Sequence, residues 1–378
     1  MKKLLSLILA LAMAFALVAC GSSNQSSGAA STPASTPAST PDDSASPSDN
    51  TEADPFEGLP EITLKMATTH NETELNGMTM TEFMNYITEH TNGKVTFETF
   101  FGGILGTSQE ELQLVSSGSV DLVPLGHNPH AESLPLLNGP SWVNGDEKDA
   151  LAYFNYLVFE NEETSALIKA EAEANNIIYL GFQPSGKNVF ICKEEASSFA
   201  DMNGRQHGAA ANHALFQSLG LVVVTTTPPD TYESLSRGII DMCRNSFTAS
   251  INMKWYEVAK YWLFDGTAAA GSPFTMNLDT WNSLPAEYQE VFYAAAEHAA
   301  EYALSLSTDN EAANLEFLAG QGVSVIEMSA EDQAFFYEQL INVTFKTCRE
   351  RAERLGITEE METMIAATSE YLGLDSEG

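Results

Sequence analysis

Positive charge is scarce in this chain: 17 lysines and arginines stand against 52 aspartates and glutamates in 378 residues, a formal net charge of −35. Phosphate backbones and anionic lipid surfaces repel such a chain, which excludes nucleic acid as a partner. Cysteine is scarce too. Apart from Cys20 there are only Cys192, Cys243 and Cys348, too widely spaced for a local zinc motif and odd in number for a disulfide framework. They read as small buried hydrophobes, although a Cys192 to Cys243 bridge stays open in an oxidising compartment. After the first twenty residues no hydrophobic run is long enough to cross a bilayer. Catalytic signatures are missing as well: no Gly-x-Ser-x-Gly, His-Glu-x-x-His, Walker loop or dinucleotide fingerprint stands in the right setting. The chain reads as a non-enzyme that carries no cofactor and no metal.

What is present begins at the N-terminus. Lys2 and Lys3 precede an apolar run from Leu4 to Val18, too short and one-sided for a membrane span and typical of a secretory signal. The run ends in Leu17-Val18-Ala19-Cys20-Gly21, which resembles the bacterial lipobox. That resemblance implies removal of residues 1–19 and lipidation of Cys20. From Ser22 to about Pro60 the chain is Ser, Thr, Pro and Ala with scattered acids, a tether that extends by up to about 3.1 Å per residue. Residues 20–60 therefore read as a leash on the outer face of the cell membrane, anchored to it rather than spanning it.

Removing the first 60 of 378 residues leaves about 318, more than one hydrophobic core usually serves, so two lobes are expected. The alternating stretch Ile62 to Ala67 is a strand. A helix follows over 76–89 with Met80, Phe83, Met84 and Ile87 on one face. Asn92-Gly93 precedes a second strand over 95–100, then come a glycine turn over 101–106, a helix over 108–117 closed by Gly118 and a strand over 120–123. This alternation predicts α/β layers on a mainly parallel sheet. An internal echo supports two lobes of one plan: residues 112–122 and 232–242 each read as a helix stopped by glycine (Gly118, Gly238) and a strand beginning near an aspartate (Asp121, Asp241). A connecting helix is expected over 147–174, a strand crossing between lobes over 177–182 and a return strand over 272–278. Ser283 and Pro285 start a helix unbroken to Gly320, a rod of about 50 Å that would cross both lobes. The expected division is 61–180 with 270–320 as one lobe and 181–269 with 321–378 as the other.

The glycine turn Gly102 to Gly106, the Asp201-Met202-Asn203-Gly204 element, the stretch Tyr232 to Asp241, Trp255 to Tyr261, and Thr280-Trp281-Asn282-Ser283-Leu284-Pro285 together resemble the DctP-type binding proteins of tripartite ATP-independent periplasmic (TRAP) transporters. Their order covers nearly all of the folded part. The resemblance implies a two-lobed, type II periplasmic-binding-protein-like α/β fold. It further implies a monomer that closes on a small organic acid or keto acid and docks onto a small and a large membrane subunit. It also implies an arginine on a second-lobe strand, a few residues after Asp-x-x-Gly, gripping the ligand carboxylate. A straight count puts Gly208 there, and a short deletion puts Arg205 there. The family's ligand-contacting asparagine has its counterpart in Asn245.

On the residues alone, the cleft is lined by side chains at and just past the strand ends. The candidates are Thr69, His70, Phe101, His127, Asn128, Gln183, Arg205, His207, Arg244 and Asn245. His127 and Asn128 also fit a solvated loop, His207 a satisfied place within the strand region, and Arg205 a simple pairing with an acid. Arg244, a cation beside Asn245, fits either the ligand or a salt bridge across the cleft. Two other functions stay open: a binding lipoprotein of another importer or sensor, and a tethered surface hydrolase.

Overall fold

The computed structural model describes residues 54–126, 128–140 and 145–374. Cys20, most of the tether, His127, Trp142 and the side chain of Asn128 lie outside the described residues. The chain divides after Glu52 into two units, and every strand and helix described belongs to the second, Ala53–Gly378.

The strands are β1 (Ile62–Ala67), β2 (Val95–Phe100), β3 (Leu122–Pro124), β4 (Ile177–Gln183), β5 (Lys187–Cys192), β6 (Gln206–Ala209), β7 (Val222–Thr225), β8 (Met242–Ser246), β9 (Tyr261–Ala268), β10 (Ser272–Asn277) and β11 (Ser324–Glu327). The helices are α1 (Leu75–His90), α2 (Glu111–Ser116), α3 (Glu147–Asn155), α4 (Glu162–Ala174), α5 (Phe199–Met202), α6 (His213–Ser218), α7 (Pro228–Arg237), α8 (Phe247–Asn252), α9 (Leu278–Ser283), α10 (Ala286–Gly320), α11 (Ala330–Leu355) and α12 (Thr358–Tyr371).

Two sheets form, in the orders β2-β1-β3-β10-β4 and β11-β9-β5-β8-β6-β7. Each is parallel except for one reversed strand, β10 in the first and β5 in the second. The cause is visible in the sequence of the central strands. Val189, Phe190, Ile191 and Cys192 are all buried, because helices cover both faces of a mainly parallel sheet and every side chain along such a strand needs an apolar surround. Alternate residues then serve different cores. Leu64, Met66 and Leu180 join the cluster on one face of the first sheet while Ala67, Val123 and Tyr179 join the other; Phe190 and Met242 face one cluster of the second sheet and Ile191 and Cys243 the other.

The reversed strands are also where the chain passes between sheets. Residues 184–186 link β4 to β5, and residues 269–271 link β9 back to β10. The two links are bonded together through Ala269 N–H to the Gly186 carbonyl at 2.7 Å. Glycine is required at Gly186, where φ is +84°, and at Gly271, where an added Cβ would fall 2.2 Å from the Phe182 ring. Helix α10 makes a third passage. At 35 residues it is about 52 Å long; Tyr288, Phe292, Ala295, Ala296 and Ala299 pack on the first sheet, and Leu318 is buried in a core of the second. Small residues permit the close approach, since a Cβ on Gly181 of β4 would meet the Ala296 Cβ at 2.7 Å.

Three expectations are corrected. The connecting helix over 147–174 is two helices separated by a π-helical turn, Tyr156–Glu160, after which Asn161 turns to an extended conformation and its side chain accepts the Thr164 N–H. Asn161 before Glu162-Glu163 is a cap signal overlooked in a periodic run. Ser283 does not cap the long helix: it ends α9, its hydroxyl donates to the Thr280 carbonyl, and Pro285 is the capping residue. The C-terminal segment does not stay with the second lobe. Met361, Met364 and Ile365 of α12 are buried in a first-sheet cluster, and Tyr153 and Thr368 share a hydrogen bond of 2.7 Å. An apolar face at three- and four-residue spacing must be buried, but the sequence does not say against which lobe.

Candidate functional site

Between the two sheets lies an open cleft of about 1260 Å³, lined by the carboxyl ends of β1, β3, β6 and β8, both links and one face of α11. Loops at strand ends and helix N-termini supply most of its polar groups.

The first-lobe wall is built around two acids. Glu111, at the start of α2, is buried, accepts hydrogen bonds from Thr69 Oγ1 at 3.2 Å and Gly126 N–H at 3.4 Å, and is pushed above the usual carboxylate range by that burial. His70 stands between Glu74 and Asn76. Asn76 Nδ2 can only donate, so His70 Nε2 accepts at 3.2 Å and Nδ1–H faces Glu74 Oε2 at 3.4 Å. That bond to His70 is the main reason the Glu74 carboxyl sits lower than normal. Asn76 Nδ2 also reaches Ser185 Oγ at 2.9 Å, in the link between β4 and β5.

The second-lobe wall carries the cation. Arg244, near the end of β8, donates from Nε to Asp265 Oδ2 at 2.6 Å and from Nη2 to Thr267 Oγ1 at 2.6 Å. Thr267 in turn donates to Asp265 Oδ1 at 2.7 Å, and the guanidinium lies over the rings of Phe336 (5.0 Å) and Phe190 (5.7 Å). Asp265 is fully buried, so the pair exists in a low dielectric where fixed geometry offsets the cost of desolvation. Two of the five guanidinium N–H groups are used, leaving three. Asn245 follows on the cleft wall, and its side-chain amide has no hydrogen-bond partner among the described residues.

Of the residues singled out in the sequence, Thr69, His70, Arg244 and Asn245 line this cleft. The other described ones do not. Phe101 packs against a first-sheet core cluster. Gln183 is wholly buried at the end of β4, with neither amide atom partnered among the described residues. Arg205 precedes β6, at the end of that strand away from the cleft, and its guanidinium is spent on the carbonyls of Glu194 (3.0 Å) and Glu195 (2.8 Å). His207 is buried with its ring 4.0 Å from that of Phe216; burial first, then Arg244 and His213, lowers its pKa to about 3, so it is neutral core. Gly208 does line the cleft but has no room for a side chain, since a Cβ would meet Ile240 Cδ1 at 2.6 Å and Thr226 Cγ2 at 2.7 Å. An arginine therefore fits neither at Gly208 nor usefully at Arg205.

Sequence reading missed Glu111, whose burial depends on the loop at Gly126, and the α11 face. Residues 340, 343, 344, 347, 348 and 351 of α11 line the cleft, at a three- and four-residue spacing that puts them on one helix face. Cys192, Cys243 and Cys348 are buried free thiols, so the Cys192 to Cys243 bridge is not formed. Among the described residues no group of His, Cys, Asp and Glu could hold a metal ion, and no helix is long and apolar enough to cross a membrane.

The arrangement positions polar groups around a void, the layout of a site that captures a small molecule. Comparison with known proteins agrees. The profile of DctP, described as bacterial extracellular solute-binding protein, family 7, matches residues 66–350. A solute-binding protein of Sulfitobacter sp. (strain NAS-14.1) is 25% identical over 281 residues, covering 72% of this chain and 83% of that protein. The C4-dicarboxylate-binding periplasmic protein DctP of Rhodobacter capsulatus is 24% identical over 298 residues, 76% of this chain and 86% of that one. A crystal structure of a TRAP periplasmic solute binding protein from Sulfitobacter sp. NAS-14.1 with bound β-D-galacturonate superposes with a TM-score of 0.64 at 21% identity, covering 81% of this chain and 100% of the other. That superposition shows that the two-sheet α/β fold is shared with the solved structure. The chain belongs to DctP, the bacterial extracellular solute-binding protein family 7, and is a binding protein of a transport system, not an enzyme.

Proposed function

We propose that this protein captures a small organic acid in its cleft and delivers it to the small and large membrane subunits of a TRAP permease, working as a monomer held by lipid at Cys20 on the outer face of the cell membrane. Removal of residues 1–19 and the tether over 20–60 belong to this proposal, on the strength of the lipobox-like Val18-Ala19-Cys20.

The observation that carries the ligand class is Arg244. Gly208 and Cys243 are register partners on β6 and β8, so Arg244 stands one residue on from the position beside Gly208. It serves as the carboxylate clamp from the neighbouring strand. Asp265 and Thr267 hold the guanidinium in one orientation before any ligand arrives, which reduces the ordering cost of binding. The three remaining N–H groups and the unpartnered Asn245 amide are donors suited to a carboxylate. The uronate and dicarboxylate named for the relatives above are acids of the same kind. Thr69 and His70 take the ligand's other end from the first-lobe wall.

A thermal-shift screen of a few hundred metabolites on the purified full chain tests this reading. Organic acids are expected to raise the melting temperature; a response confined to uncharged sugars or peptides contradicts the ligand class.

A further inference from the structure

The first-lobe wall buries a carboxyl where an incoming acid adds negative charge. Glu111 lines the cleft at 3% exposure, and among the described residues no lysine or arginine pairs with it. From the loop after β1 it meets Thr69 and His70, and from the loop after β3 the Gly126 N–H. His70 acts on it through space and is itself bonded to Glu74 and Asn76. Glu110, its neighbour in the chain, is engaged by the Thr107 N–H and hydroxyl at 2.8 and 2.9 Å. Glu74 also lines the cleft, but its bond to His70 holds it below the usual carboxylate range. Glu111 lies on the other side of that range: burial first of all pushes it up, so a proton is cheaper here than on an exposed acid.

The hydrogen bond between Glu111 and Thr69 makes that proton matter to a ligand. Thr69 has one hydroxyl hydrogen and gives it to Glu111 Oε1 at 3.2 Å. An ionised carboxylate only accepts, so this hydrogen is committed and Thr69 offers the cleft lone pairs alone. A carbonyl or carboxylate oxygen arriving at Thr69 also only accepts, and the two oxygens face each other with no hydrogen between them. A proton on Glu111 reverses the bond. The carboxyl O–H then donates to Thr69 Oγ1, and the Thr69 hydrogen is free to point at the ligand. Such a ligand atom, one hydrogen bond beyond Thr69, stands no more than about 6 Å from Glu111 Oε1, close enough for its negative charge to favour the neutral carboxyl as well.

We propose that Thr69 and Glu111 form a proton relay of the binding site: capture of an acid whose far end presents an acceptor oxygen takes up one proton at Glu111 and turns Thr69 from acceptor to donor. The proton comes from solvent, and the only covalent bond formed is the carboxyl O–H. Glu111 is a positioning residue, acting on the ligand through Thr69. The relay rests on the organic-acid reading above and adds its coupling to pH. Because the bound state holds the proton more tightly, affinity is highest in acid and falls as pH rises through the range above 4.5, by up to about tenfold per unit.

Calorimetric titration of the full chain at several pH values from 5 to 8, each in two buffers of different ionisation enthalpy, counts the protons. The probes are D-galacturonate, succinate, pyruvate and every further acid that raises the melting temperature. At least one is expected to bind with uptake of about half a proton or more at some pH in that range. In Glu111→Gln, whose amide imitates the neutral carboxyl by donating to Thr69, the uptake is expected to vanish while affinity at pH 5 stays within about tenfold of the unaltered chain. Thr69→Val is expected to lose the uptake and Thr69→Ser to keep it, which carries the test should Glu111→Gln fail to fold. Acids that bind with no proton uptake at any pH, uptake that survives in Glu111→Gln or Thr69→Val, or loss of all binding in a folded Glu111→Gln would each overturn the relay and leave the organic-acid reading standing. Binding of no acid at all removes both.

Discussion

The two lobes repeat one scaffold and fill it with different chemistry. In the first, Gly118 (φ +70°) turns the chain just after α2, and Asp121 accepts the Lys65 N–H at 2.8 Å while giving its own N–H to the Lys65 carbonyl at 2.9 Å. In the second, Gly238 caps α7 (φ +71°), and Asp241 accepts the Gln206 N–H at 2.9 Å while giving its N–H to the Gln206 carbonyl at 2.8 Å. In both, the aspartate staples the entry of one strand to its parallel neighbour, β3 to β1 and β8 to β6. At the far ends of those strands the likeness stops. The first lobe presents Thr69, His70 and a buried Glu111; the second presents Arg244 and Asn245. The scaffold sets where groups stand, and a few residues at strand ends set what they bind.

The comparison can be pressed hardest at the charged groups. Arg244→Ala leaves Asp265 buried and unpaired and is expected to cost about 3–5 kcal/mol of stability, most of it recovered when Asp265→Asn is added. The first-lobe counterpart, Glu111→Gln, is expected to cost less than about 1 kcal/mol, because the amide oxygen still accepts the Gly126 N–H while the amide NH2 donates to the Thr69 hydroxyl, which can accept as well as donate. Urea unfolding of the three variants checks both, and equal costs would erase the contrast.

Acid is expected to act on the lobes in opposite directions. His207 titrates near 3 when folded, against an ordinary 6.5. Its stabilising contribution is therefore full above pH 6.5 and is lost as pH falls towards 3, by about 1.4 kcal/mol per unit. In the first lobe, burial raises the Glu171 carboxyl from 4.5 to about 7. Its contribution is full below pH 4.5 and is lost as pH rises to 7. Unfolding midpoints at pH 7 and pH 5 should show His207→Leu losing less than the unaltered chain on acidification and Glu171→Gln losing more. The smallest effect tests the repeat itself: Asp121→Ala and Asp241→Ala are each expected to cost about 1 kcal/mol, and a large inequality would show that the staples are not energetically equivalent.

Much of the scaffold was legible because the signals are local. Apolar alternation marks Ile62 to Ala67, glycine marks the ends at Gly118 and Gly238, and the pattern from Pro285 to Gly320 marks the long helix. What escaped depends on distant partners. Nothing near Met361 says that α12 returns to the first lobe. The spacing along α11 was readable, but its orientation towards a cleft depends on clusters in both sheets. The site divides the same way. Arg244 and Asn245 are legible from their place at a strand end, whereas the rejection of Arg205 depends on the carbonyls of Glu194 and Glu195, and that of Gly208 on Ile240 and Thr226.

The most direct test pairs the clamp with its buried partner so that the fold survives the change. Titration of an acid found by thermal shift into the unaltered chain and into the Arg244→Gln, Asp265→Asn double variant, both melting at similar temperatures, should show affinity falling by about a hundredfold or more, the worth of a charge-assisted carboxylate grip. Unchanged affinity in the double variant would contradict the clamp and, with it, the account of how this cleft holds an acid.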